Sequence, residues 1–202
     1  MVTVAVVDSG ISPGHPHVGE VAGGIHFHAD GSTDADWTDR LGHGTAVAAA
    51  IREKAPGAAL LAVRVFERTL ATNAPVLARA IVWAAEQGAS FINLSLGTAN
   101  AQHAASLQEA VEHAVRLGAV VVSAASHEDR DWFPGSLPGA VGVLLDWECP
   151  REEIRAVAAP EGRRIYAASG FPRPIPGVPP ERNLKGISFA VANVTGVLSR
   201  ES

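Results

Sequence analysis

The stretch Val4-Ala5-Val6-Val7-Asp8-Ser9-Gly10-Ile11 decides the fold. Its first four residues are apolar and mostly β-branched, with no polar residue between them. That is the pattern of a strand buried on both faces, which belongs to a parallel sheet covered by helices on each side. Asp8-Ser9-Gly10 then ends the run. A carboxylate is thereby placed at the carboxyl end of a strand, where open α/β sheets collect their sites.

Outward from this stretch, apolar runs alternate with helix-period segments. Residues 44–52 read as an Ala-rich helix, 59–66 as a strand, and 75–87 as an amphipathic helix closed by Gly88. Residues 91–94 are a strand, 104–117 a helix closed by Gly118, and 119–123 and 141–145 two more strands. The alternation predicts an α/β fold, a three-layer sandwich with a mostly parallel sheet and helices on both faces. A single domain over residues 1–202 is expected, since neither a repeat nor a linker interrupts the series. Two stretches lack a period. Residues 15–37 mix Gly, His and Asp and read as a surface excursion. Residues 171–182 hold five prolines, too many for a central strand or a helix interior. They read as a rigid loop delivering the chain to Gly186-Ile187-Ser188.

The composition narrows the class. With 47% hydrophobic and 18% charged residues, a chain of 202 residues has enough apolar surface for a sizeable core. A formal charge of −5 argues against nucleic acid or an anionic membrane as partner. Cys149 is the one cysteine and cannot form an internal disulfide, so nothing demands an oxidising compartment. With no secretory or membrane-spanning segment read at the start, a cytoplasmic protein is expected. No cofactor and no metal are assigned.

Three residues stand where hydrolytic chemistry needs them. Asp8 closes the first strand. His43 lies in Gly42-His43-Gly44-Thr45 at a helix start, where its glycine neighbours leave the imidazole uncrowded. Ser188 opens an apolar helical run, and helix-start N–H groups favour a developing oxyanion. Acid, base and hydroxyl at element termini meet the requirement of a Ser-His-Asp site.

The segments VAVVDSGI (4–11), GHGTAVAAAI (42–51), FINLSLG (91–97) and GISFAVANVTG (186–196) resemble the Asp, His, substrate-strand and Ser motifs of the subtilisin-like serine proteases, in that family's chain order. The resemblance implies a subtilisin-like fold and a serine endopeptidase working through an acyl-enzyme. Ser188 would be the nucleophile, His43 the base and Asp8 its orienting acid. Ser95, Leu96 and Gly97 would pair with an extended peptide or protein substrate. Where the family carries an oxyanion-donating Asn, this chain has His127, expected to donate in its stead. Trp132, just before Phe133-Pro134, matches by this resemblance the floor of the main specificity pocket, where it would restrict the cleaved residue to a small one; the alternative is that it only packs at the rim. Ile187 replaces the family's Thr, and Phe189 and Asn193 also depart from its serine motif. Fourteen residues follow Ser188, fewer than in typical relatives, so a partner protein or oligomer completing that end is a further expectation.

With no inhibitory propeptide read, narrow specificity would suit the chain, such as processing of a dedicated peptide precursor. The alternative is a peptide-binding pseudoprotease or partner-dependent subunit. Acyl transfer to an amine would use the same acyl-enzyme. Of the remaining histidines, His15 with His17, and His26 with His28, have the His-x-His spacing that sets both rings on one side of a strand and could seat zinc. Lacking an obvious third ligand, they read as solvated loop residues. His103 and His113 read as surface, and Glu128, Asp129 and Asp131 as a solvated acidic turn.

Overall fold

The computed structural model describes the backbone of residues 1–202 and every side chain but that of His127. Eleven strands are formed: β1 (Thr3–Asp8), β2 (Gly23–Phe27), β3 (Thr33–Asp34), β4 (Ala59–Arg64), β5 (Phe91–Leu94), β6 (Val120–Ala124), β7 (Ser126–His127), β8 (Arg130–Asp131), β9 (Val141–Leu145), β10 (Arg155–Val157) and β11 (Arg164–Ala168). The four α-helices are α1 (His43–Lys54), α2 (Ala74–Glu86), α3 (Ala104–Arg116) and α4 (Ile187–Arg200). Nine strands join in the order β10-β11-β9-β6-β5-β1-β4-β2-β3, while β7 and β8 pair separately as a hairpin. The seven strands from β11 to β2 run parallel, and only the outermost pairs, β10–β11 and β2–β3, are antiparallel. The expected mostly parallel sheet with helices on both faces is therefore formed.

Strand alternation sorts the core into two layers. Val4 and Val6 of β1 join Leu60 and Ala62 of β4 under α1 and α4. Ala5 and Val7 join Val63, Ile92 and Val121 under α2 and α3. Asp8 shares the parity of Val4 and Val6, so it continues toward the α1–α4 face. By the same rule Asn93 and Ser95 continue from Phe91 toward α4. The period of two in two apolar strands thus decides which helix ends meet which polar side chains.

One sequence expectation is corrected. Residues 15–37 are more than a surface excursion, because 23–27 form β2, paired in parallel with β4. Gly23, Gly24 and His26 hid the strand, yet a Cβ at Gly24 would collide with the Ala62 carbonyl and the Trp37 ring. Glycine is what lets this backbone lie so close to its neighbours. Strands β10 and β11 were not anticipated. The proline-rich segment is an irregular loop, as expected, with one short 3₁₀ turn over Pro180–Arg182.

Candidate active site

Asp8 is fully buried at the end of β1, and its carboxylate grips one nitrogen of His43. His43 Nδ1 lies 2.8 Å from Asp8 Oδ1 and 2.9 Å from Oδ2. This approach depends on Gly44, where a Cβ would strike the Gly10 carbonyl and come within 3.1 Å of Asp8 Cβ. The helix start that carries His43 has no side-chain cap of its own, since its N-cap is Gly42 in the left-handed region. Asp39 takes over that task. Its buried carboxylate accepts N–H bonds from Leu41, Gly42 and Thr45, and the hydroxyls of Ser9 and Thr45. Ser9 Oγ in turn accepts from Gly44 N–H, closing a network between the end of β1 and the start of α1. Sequence reasoning missed Asp39. An Asp shortly before a glycine-flanked helix start was the available signal.

Electrostatics follow from this geometry. Burial pushes the His43 imidazole down, but its hydrogen bond to Asp8 and the charges of Asp8 and Asp39 outweigh that, and the net position is above the ordinary histidine value. For Asp39, burial pushes the carboxyl up, but the bonds from Thr45, Leu41 and Gly42 overcome it and hold it below the usual carboxylate range.

Ser188 is the second residue of α4, whose start follows Gly186 at φ 139°. The approach to it is fastened at two points. Gly186 N–H donates to Gly170 O at 2.9 Å, and buried Asn193 Nδ2 donates to the carbonyls of Ser169 (2.7 Å) and Phe171 (3.1 Å). Asn193 was noticed in the sequence only as a departure from a motif; here it ties the entry of the proline-rich loop to α4. The Ser188 hydroxyl donates to the Ser95 carbonyl at 3.3 Å, and no hydrogen bond joins it to His43 among the described residues. In this state the Ser188 hydroxyl is thus committed to the Ser95 carbonyl rather than to the imidazole.

His43 and Ser188 line one cleft of about 720 Å³ with Ser95, Leu96, Gly97 and Trp132. Half-buried residues 95–97 run along it beyond the end of β5. A Cβ at Gly97 would collide with the Trp132 indole, so that ring lies directly against the strand segment. Thr98 and Phe133 exchange backbone bonds just beyond. Phe66, Leu70 and Leu77 supply an apolar wall that sequence reasoning did not identify, and His103, read as surface, lines the cleft too. The side chain of His127, the expected oxyanion donor, lies outside the described residues. Its backbone pairs with Arg130 across a two-residue turn in which Glu128 and Asp129 both have positive φ.

A family model for the subtilase family matches residues 1–143. Thermitase from Thermoactinomyces vulgaris is 36% identical over 211 residues, covering 96% of this chain and 72% of thermitase. Subtilisin from Bacillus pumilus is 30% identical, covering 97% and 72%; the same share of this chain spans 52% of subtilisin E from Bacillus subtilis. Among solved structures, a lanthipeptide protease superposes with a TM-score of 0.73 at 21% identity, over 98% of this chain and 72% of the other. A cold-adapted subtilisin-like serine proteinase gives 0.71 at 23% identity, over 98% and 74%. At these identities the superpositions speak for the fold, and the sequence matches for descent: the chain belongs to the subtilase family of serine proteases.

Proposed function

We propose that this chain is an endopeptidase that cleaves an extended peptide through Asp8, His43 and Ser188. The observation that carries the reading is the buried Asp8–His43 pair opening onto the cleft that also holds Ser188. Ser188 Oγ would exchange its bond to Ser95 for one to His43 Nε2 and attack the scissile carbonyl as its proton passes to His43. The resulting oxyanion would meet the N–H groups at the start of α4, with His127 as the proposed second donor. His43 would then protonate the leaving amine, and water would release the acyl-enzyme by the reverse sequence. Ser95, Leu96 and Gly97 would hold the substrate backbone as an added strand. With the Trp132 indole against Gly97, the residue before the cut would be Gly, Ala or Ser.

Such a restricted cleft suits one dedicated precursor peptide. Two proteins sharing the fold are a lanthipeptide protease and a prenylagaramide maturation protease, the latter 24% identical with a TM-score of 0.70. The bond from Ser188 to Ser95 favours a second reading, peptide binding without cleavage. Labelling with a fluorophosphonate separates the two. Labelling of the wild type that disappears in Ser188→Ala is expected; an unlabelled wild type that still binds peptide would leave only the binding reading.

A further inference from the structure

The structure assigns a transition-metal site to His26, His28 and Glu67, built on the edge of the sheet and separate from the catalytic residues. We propose that it takes zinc or a similar borderline divalent ion. One ligand atom from each of the three side chains lies within 4.8 Å of the others. The third ligand was invisible in the sequence because Glu67 comes from beyond β4, thirty-nine residues after His28. Parallel pairing of β2 with β4 brings them together. His28 Nδ1 and Glu67 Oε1 share a hydrogen bond at 3.2 Å, which the ion would replace, its proton passing to solvent. That separation matches one edge of a tetrahedron with Zn–N and Zn–O bonds of about 2.0–2.1 Å, which is about 3.3 Å long.

Two further observations mark a prepared site. Asp34 holds the opposite nitrogen of His28, Nε2, at 2.7 Å. A carboxylate behind a ligating imidazole fixes its tautomer and strengthens it as a ligand. The same Asp34 stands 3.6 Å from Nδ1 of His26. The other nitrogen of His26, Nε2, is buried without a hydrogen-bond partner among the described residues, in a residue only 3% exposed. A buried imidazole nitrogen left unmatched is costly, and a metal ion would satisfy it. Two imidazoles and one carboxylate suit zinc, cobalt or nickel, whereas calcium prefers an all-oxygen shell. Water would take the fourth position.

The ion would act as a clamp. Glu67 directly follows Phe66, which lines the substrate cleft. The wall from Phe66 to Leu77 already touches the β2–β3 hairpin where Asn73 Nδ2 donates to Ala29 O at 3.0 Å, and Arg79, just beyond it on α2, donates to the Gly31 carbonyl. A bond from Glu67 to an ion held by His26 and His28 would fasten the start of the same wall.

Titration of the metal-free protein with Co²⁺, followed by visible absorption and by displacement with Zn²⁺, tests this without reference to catalysis. One Co²⁺ per chain with an intense tetrahedral-type band is expected. Asp34→Asn is expected to weaken binding by about 10- to 100-fold, and His28→Ala and Glu67→Ala by at least as much. His28 and Glu67 are partly or fully exposed, so those two variants keep the fold. His15→Ala serves as the control and should bind as the wild type does. A wild type without the band, or a band of unchanged affinity in both His28→Ala and Glu67→Ala, would overturn the assignment.

Discussion

At the scale of single residues, the charge environment of His43 is shared between two carboxylates with different tasks. Asp8 touches the ring, whereas Asp39 acts on it through space while organising the helix start. As the proposed general base, His43 must be neutral, so activity is expected to fall as pH drops through its pKa. Because that pKa lies above the ordinary histidine value, the acid limb of kcat/KM should lie above it as well. Removing the negative charge in Asp39→Asn withdraws one of the influences that raise it, and the limb should move to lower pH. A kcat/KM profile of both proteins checks the direction. Loss of activity at every pH with an unmoved limb would show that Asp39 only scaffolds the helix start, with no electrostatic share in the base.

At the scale of elements, α1 and α4 carry His43 and Ser188, the proposed base and nucleophile, and pack directly on one another. Their approach is close at Gly196, where a Cβ would lie 2.9 Å from Lys54 Cβ. Lys54 is buried there, and its ammonium reaches Glu53 at 3.3 Å. Glu53 also pairs with Arg151. Burial and the charge of Arg151 press the Lys54 ammonium below its ordinary value, so this triad ties the end of α1 to the turn at Arg151 by way of a costly buried charge. Glu53→Gln leaves two cations facing each other, and a loss of about 2–3 kcal/mol is expected, at or below the usual range for broken buried pairs because Glu53 is partly exposed. Lys54→Met should be neutral or stabilising, since a buried charge is replaced by a flexible apolar chain of similar length. Urea unfolding of the two variants checks both signs. A strong destabilisation by Lys54→Met would mean that the ammonium is a net contributor.

The elements also differ in how far the sequence disclosed them. The strands β1, β4, β5, β6 and β9 and all four helices were legible because burial writes apolar runs and period-3.6 stripes into the chain. Asp8, His43 and Ser188 were legible because each sits at an element end beside glycine or a sharp change of pattern. What stayed hidden depends on pairing in space. Strand β2 reads as a loop until β4 lies beside it, and half-exposed β10 and β11 carry Arg and Tyr without clean alternation. Glu67 matters through a partner far away in the chain and has no local pattern to mark it, whereas Asp39 was marked only by its place before the glycine-flanked helix start.

For the whole molecule, the sheet order sets a gradient of stability around the site. Strands β1, β4, β5 and β6 lie in the middle, are buried by helices on both faces and hold most of the apolar core. The two ends of the sheet are short antiparallel pairs whose outer strands, β10 and β3, are largely exposed. Local opening starts where little apolar area is buried and backbone bonds are exposed. Amide hydrogen exchange should therefore be slowest in β1, β5 and β6 and fastest at β3 and β10, with the α1 and α4 starts near the slow limit. The proposed catalytic groups would then rest on the last parts to open, as a preorganised base and nucleophile require. The cleft wall after β4 belongs to the opposite class, because residues 67–71 are exposed and lie between a strand end and a helix start. It is expected to exchange early in the metal-free protein and to gain protection when Zn²⁺ is added, while β10, on the opposite edge, stays unchanged. Protection that rises equally at both edges would indicate a general stabilisation of the sheet, and would remove the link between the His26–His28–Glu67 cluster and the cleft.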